Sequence, residues 1–309
     1  MATISRTRRL RTRIARRVDW AKQRRAVIGD DKLAVGERVR AEVGRWRWRR
    51  VNGRPGAATP VWVVGVQRSG TNMLVRGFQI SPEFDVHNED DRRAFRRFRL
   101  RPDGEIRELV LRSPYRYVLF KPLNDSHRIA GLLDTIETSR PGRAIWIYRS
   151  MQGRVRSAVE TFGPANLVIL RELSHGHALD TWQAAGLSDE SFELIRRLVH
   201  GEMSAESAAA LFWYVRNAIY FEQGLHDRDD VALVSYDAFL RAPEGTMRSL
   251  CRFLDYEYRP RLIEHIAPRT SRRPRPPLTI DPEIAELCAE MLVRLDLASD
   301  EKARRLAVA

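Results

Sequence analysis

Residues 61–78 read VWVVGVQRSGTNMLVRGF. The opening run, Val61 to Val66, is apolar apart from Gly65 and rich in β-branched residues. That is the pattern of a strand buried on both faces of a parallel sheet. Gln67, Arg68, Ser69, Gly70 and Thr71 follow as a short polar loop, and Met73, Leu74, Gly77 and Phe78 then recur at helical spacing. Strand, small loop and helix together aim the loop N–H groups and the positive end of a helix dipole at one point, which makes an anion site. Gly70 lets the backbone approach the anion. Ser69 and Thr71 offer hydroxyls, and Arg68 adds a fixed positive charge. Nucleotide-hydrolysing loops of the form G-x-x-x-x-G-K-[ST] place a lysine directly after the second glycine. Gly65 and Gly70 have that spacing, but Thr71 stands where the lysine would be. The residues therefore argue against a nucleoside triphosphate hydrolase or kinase.

A second strand–helix junction lies at residues 144–163, AIWIYRSMQGRVRSAVETFG. Ala144 to Tyr148 reads as a strand with Arg149 at its end, and a helix begins near Met151. Ser157 lies two turns into that helix. Three shorter signals surround these two. Phe84, Asp85 and Val86 form a short strand before the polar cluster His87, Asn88, Glu89, Asp90 and Asp91. Asp90 or Asp91 also suits the N-terminus of a helix. Tyr117 to Phe120 is a buried strand ending at Lys121, where strand ends of an open α/β sheet converge on a crevice. Val231 to Ser235 is a strand followed by YDAFLRAPEGTMRSLCRFL at residues 236–254.

Arg68-Ser69-Gly70-Thr71-Asn72 resembles the 5′-phosphosulfate loop of the sulfotransferase family, and Arg149 with Ser157 resembles that family's 3′-phosphate site. The 236–254 segment is similar to its late Y-E-D-L segment. The resemblance spans residues 61–295. It implies a three-layer αβα fold with a central, mostly parallel sheet, like that of nucleotide kinases. It also implies 3′-phosphoadenosine 5′-phosphosulfate as sulfuryl donor, with no metal required. Gln67 through Asn72, Arg149, Ser157, Tyr236 and the basic C-terminal Arg272 would hold the donor. Glu89 matches the acidic base of family members, with His87 as the second candidate. Lys121 and Arg68 would assist transfer. The acceptor is a hydroxyl on a carbohydrate, lipid, phenol or peptide, or less readily an amine. A kinase of the same fold and a non-enzymatic basic-armed binder are the rival readings.

The chain carries a net charge of +14 over 309 residues. Most of it sits in residues 1–50, which hold 17 Lys or Arg against 5 Asp or Glu. The remainder is nearly neutral, which argues against a nucleic-acid-binding body. Residues 1–50 read as two basic helices, the first with Leu10, Ile14, Val18 and Ala21 in register, the second with Val35, Val39, Val43 and Trp46. Either their apolar stripes pack on the main domain, or they meet an anionic membrane surface or an acidic partner. Residues 52–60 read as a linker, so the division expected is an arm and linker at 1–59 and a sulfotransferase domain at 60–309. No apolar run reaches membrane-spanning length, and the arginine-rich start lacks the apolar core of a secretory signal. Cys251 and Cys288 fall within helical patterns and suit a reducing compartment. The expected location is cytoplasmic, peripheral to the inner membrane surface. The insert at residues 163–203, with His175 and His177, has no strand pattern and is expected to form an acceptor pocket or lid.

Overall fold

The computed structural model describes residues 33–136, 138–266 and 276–308. Helix α1 (Val35–Asn52) precedes the sheet. Strand β1 (Thr59–Gly65) runs through the polar loop into α2 (Thr71–Gln79). Next come β2 (Phe84–His87), a small hairpin of β3 (Phe95–Arg96) and β4 (Arg99–Leu100), and α3 (Asp103–Arg112). Strand β5 (Tyr117–Phe120) leads through a 3-10 turn at Leu123–Arg128 into α4 (Ile129–Thr135). Strand β6 (Arg143–Tyr148) and α5 (Met151–Phe162) form the second junction. Helices α6 (Ala165–Ser174), α7 (Asp189–Leu198) and α8 (Ala205–Glu222) come before β7 (Val231–Ser235). They are followed by α9 (Tyr236–Arg241), α10 (Pro243–Phe253) and α11 (Pro282–Val308).

Among the described residues, five strands make one sheet in the order β2-β5-β1-β6-β7, and every neighbouring pair is parallel. The expected three-layer αβα architecture is present. Alternate residues of each strand feed opposite cores, as the two-residue period of a strand requires. Trp62, Val64, Phe120, Trp146 and Leu233 join the layer built by α4, α5, α8 and α11. Val61, Val63, Leu119, Ile147 and Val234 join the layer built by α2, α9 and α10. Full burial of such side chains stabilises by about 1.5–3 kcal/mol each, which is why the run at 61–66 reads as continuously apolar. Gly65 has φ +141, and a Cβ there would lie 2.1 Å from the Ile147 carbonyl oxygen. Strands β1 and β6 therefore approach closely where both loops begin.

Several expectations change. The 163–203 insert is helical and structural: Leu170, Leu173, Ile195 and Leu198 are buried in the core beside α8. Ser188 caps α7 by accepting from the Ser191 N–H. Asp91 starts no helix; its carboxylate accepts from the Arg93 N–H in a turn before the β3–β4 hairpin. The apolar stripe of α1 is the exposed face. Ala41 is its buried residue, Trp48 stacks on Tyr115 with ring centroids 6.0 Å apart, and Arg45 Nη1 donates to the Gln79 carbonyl at 2.9 Å. Tertiary partners, rather than hydrophobic periodicity, choose which face of this helix packs. Ala58 is already buried in the core, so the segment between helix and sheet is shorter than residues 52–60. The first basic helix expected at residues 1–32 and the candidate Arg272 lie outside the described residues.

Candidate active site

All strand carboxyl ends open on one edge of the sheet, and a cavity of about 340 Å³ lies there. Its wall draws Gln67, Arg68, Gly70, Thr71 and Asn72 from the first junction, Arg149 and Ser157 from the second, Glu89 from the loop after β2, and Tyr236 from the end of β7. Residues separated by up to 169 positions in the chain therefore meet because five parallel strands end side by side. This is the crevice expected outside the carboxyl ends of an open α/β sheet.

The loop is shaped by left-handed backbone. Gly70 has φ +95, and a Cβ there would fall 2.0 Å from Tyr236 Cδ2. Arg68 has φ +71, uncommon for a side chain of its size. Such strain gathers at binding sites, where surrounding contacts hold it. Arg68 Nε donates to Ser157 Oγ at 3.0 Å, and Arg149 Nη1 donates to the Arg68 carbonyl at 3.3 Å. The two anion motifs read separately from the sequence are thus joined directly. Arg149 is itself fixed: its Cζ lies 4.7 Å from the Tyr236 ring centroid, and its carbonyl accepts from Trp213 Nε1 at 3.0 Å. Gly153 leaves room for it, since a Cβ there would lie 2.7 Å from Arg149 Nε. Asp237 accepts from the Ser150 N–H at 2.8 Å, tying the end of β7 to the start of α5.

Beneath the loop lies Arg154, fully buried. It donates from Nε to the Gln67 carbonyl at 3.3 Å and from Nη1 to the Ala209 carbonyl at 2.7 Å. Burial lowers its pKa, with Arg68 adding to the effect, yet an arginine keeps its proton. Among the described residues no carboxylate pairs with it. An anion bound above this buried positive charge would help to compensate it. Sequence reading missed this residue because one arginine among many in an arginine-rich helix carries no signal of its own.

Glu89 lines the cavity and is mostly buried. His87 does not line it. The His87 ring is fully buried, stacked on Phe120, with Nδ1 2.7 Å from Asp91 and Nε2 at an ion-pair distance of 3.4 Å from Asp85. Burial pulls its pKa down, but the two carboxylates outweigh burial and the net shift is upward. Burial likewise opposes the charged forms of Asp85 and Asp91, yet both are held below the usual carboxylate range by His87 and Arg93. This cluster lies at the start of the loop that carries Glu89, and the His87 ring meets these carboxylates rather than the cavity.

Lys121 also lies behind the wall. It is fully buried at the end of β5 and donates to Asn72 Oδ1 at 2.6 Å. Ser69 is fully buried too, and its Oγ meets no hydrogen-bond partner among the described residues. His175 and His177 stack on each other at 6.2 Å, and neither lines the cavity.

Three further lining residues had no legible signal. Phe98 stands on the β3–β4 turn with Arg97, both at left-handed φ, +53 for Arg97 and +62 for Phe98. Two-residue hairpin turns of this kind usually take Asn or Gly, so nothing in the residue types announces a hairpin here. His265 donates Nε2–H to the Met73 carbonyl at 2.8 Å, and burial lowers its pKa. Asn124 accepts from Gln67 Nε2 at 3.0 Å, joining the loop to the end of β5.

No protein-family model and no curated protein matches the chain. Among solved structures it is similar to a sulfotransferase from Alicyclobacillus acidocaldarius, at 15% identity over 80% of this chain and 96% of that one, with a TM-score of 0.44. It is similar also to mouse sulfotransferase SULT7A1 complexed with PAP, at 13% identity over 82% of this chain and 71% of that one, with a TM-score of 0.36. A third is the sulfotransferase domain of the Synechococcus PCC 7002 olefin synthase, at 15% identity over 83% of this chain and 97% of that one, with a TM-score of 0.37. These likenesses are distant, and it is the cavity itself that bears on function. All three structures are sulfotransferases, the family that residues 68–72 and the pair Arg149 and Ser157 resemble in sequence.

Proposed function

We propose that the chain moves a sulfuryl group from 3′-phosphoadenosine 5′-phosphosulfate to an acceptor hydroxyl. The observation that carries this reading is the meeting of the 67–72 loop, the Arg149 and Ser157 pair, and Glu89 in one cavity. The donor has two anionic ends, and the cavity has two anion-binding elements joined by the Arg68–Ser157 hydrogen bond. The loop amides and the start of α2 suit the 5′-phosphosulfate. Arg149 and Ser157 suit the 3′-phosphate, which an arginine fork can bind by paired charge-assisted hydrogen bonds. Tyr236, under Arg149, supports that fork.

In the reaction the acceptor oxygen attacks sulfur while its proton passes to the Glu89 carboxylate. The bond from sulfur to the phosphate oxygen breaks, and its electron pair leaves with 3′,5′-adenosine bisphosphate. A positioned base contributes about 10²–10⁴-fold. Arg68 and the loop N–H groups stabilise charge on the sulfuryl oxygens and the leaving phosphate, and loss of one such donor costs about 10²–10³-fold. Lys121 acts by holding Asn72. Phe98, Leu123 and Phe162 add apolar surface to the cavity, which favours a hydroxyl carried on an apolar body.

Calorimetric titration without added metal tests the reading. 3′,5′-Adenosine bisphosphate should bind, and AMP and ATP should bind much more weakly. ATP binding that requires Mg²⁺, with no preference for the bisphosphate, would instead indicate a kinase. A mass-shift screen for added sulfate in cell extracts then identifies the acceptor.

A further inference from the structure

Helix α1 has its faces reversed relative to the usual amphipathic helix of a globular protein. Val35, Val39, Val43 and Trp46 are 78%, 57%, 47% and 47% exposed. The packed side is held by polar and aromatic contacts: Glu37 pairs with Arg76 at 3.2 Å, Arg45 reaches the Gln79 carbonyl, and Trp48 stacks on Tyr115. The outward orientation of the stripe is therefore pinned by contacts on the opposite face. Arg40 and Arg47 are exposed beside the stripe, and the Arg50 guanidinium lies 4.2 Å from the Trp46 ring centroid. The helix carries six arginines against two glutamates.

We propose that α1 docks the protein on an anionic lipid surface, with Val35, Val39, Val43 and Trp46 in the boundary between headgroups and acyl chains and the flanking arginines on lipid phosphates. A helix that is mostly basic and polar, with one apolar face and an edge tryptophan, fits an interface rather than a span. No helix of the described residues is long and apolar enough to cross a membrane. A second copy of the chain fits the face poorly, because two such helices would bring like charges together. The net charge of residues 1–50, 17 basic against 5 acidic residues, adds to the attraction of this end of the chain for an anionic surface. Arg76, the partner of Glu37, also lines the cavity, so docking brings the cavity within one side chain of the lipid-bound helix. Docking by α1 is independent of the proposed reaction.

The test is flotation of the full chain with phosphatidylcholine vesicles, with and without about a quarter phosphatidylglycerol. The wild type should bind the anionic vesicles selectively and less at high salt. The variant Val39→Ser/Val43→Ser/Trp46→Ser changes only exposed side chains and no charge, so circular dichroism should be unchanged while vesicle affinity falls at least about tenfold. Its retention on heparin, which reads charge alone, should match the wild type. Arg40→Gln/Arg47→Gln/Arg50→Gln should weaken vesicle and heparin binding together. A wild type indifferent to phosphatidylglycerol overturns the proposal, as does a serine variant that floats like the wild type. A wild-type dimer that the serine variant converts to monomer, without vesicle binding, assigns the face to a second copy and also overturns it.

Discussion

Replacing Gly70 with alanine should destabilise the protein by about 1–4.5 kcal/mol and abolish measurable bisphosphate binding. Three terms make up the figure. An L side chain held at φ +95 costs about 1–2 kcal/mol. The new Cβ would also lie 2.0 Å from Tyr236 Cδ2 and 2.5 Å from Cε2, where carbon atoms prefer about 3.5–4.0 Å. The ring cannot retreat freely, because it is mostly buried and lies against the Arg149 guanidinium, itself almost buried. Overpacking of this kind costs about 1–3 kcal/mol. The opposing gain from a less flexible unfolded chain is only about 0.4–1 kcal/mol. Urea denaturation of Gly70→Ala, Tyr236→Ala and the double variant measures the separate terms. The clash should vanish without the ring, so Gly70→Ala should cost at least about 1 kcal/mol less in the Tyr236→Ala background. An equal cost in both backgrounds would refute the packing argument. A cost below about 1 kcal/mol in the wild type would remove the strain argument as well.

Arg149→Ala should weaken binding of 3′,5′-adenosine bisphosphate far more than binding of AMP in calorimetric titration, and equal losses would remove Arg149 from the 3′-phosphate. Glu89→Gln should lower turnover at least about 10²-fold with bisphosphate affinity little changed; His87→Gln should cost less, and the reverse order would make His87 the base. The His87 cluster also predicts a pH window. His87 has a raised pKa when folded, so its contribution is complete below the ordinary imidazole value of about 6.5 and is lost as pH rises through the raised value. Asp85 and Asp91 have lowered values, so their contribution is complete above the ordinary carboxylate value of about 3.9 and is lost as pH falls through the lowered ones. The stability difference between wild type and Asp91→Asn, from urea titrations across pH, should therefore be greatest from about 4 to 6.5 and should shrink on either side. A difference independent of pH would sink the ion-pair account.

The parts of the site that were legible in the sequence are those where backbone geometry dictates residue type. A buried strand needs the run at 61–66 and a left-handed loop position needs Gly70, while Arg149 and Ser157 stand out through their resemblance to the sulfotransferase 3′-phosphate site. These constraints are local, so they show in one sequence. Phe98 was illegible because its turn uses Arg97 and Phe98 where the usual rule asks for Asn or Gly. Arg154 looks like one surface charge among many until the fold encloses it, whereas Lys121 is legible as a strand-end cation. The sequence leaves the orientation of α1 open for a related reason: Trp48, Arg45 and Glu37 have partners far along the chain, at Tyr115, Gln79 and Arg76. Periodicity sees only the helix itself.

The strand order has a consequence for how the chain acquires its structure. β1 sits at the centre of the sheet, yet it comes first in the chain among the five strands. Its partners arrive much later, with Thr59 facing Tyr117 and Val61 facing Arg143. Parallel pairing allows no hairpin shortcut, and distant pairings of this kind slow folding. During synthesis, at about 5–20 residues per second, the apolar run at 61–66 is therefore exposed for several seconds before β6 can cover it. That run has strong β-propensity and no charge, the pattern of a segment prone to aggregate in a nascent chain. The same six residues that build the centre of the folded sheet are thus the ones a chaperone would need to shield.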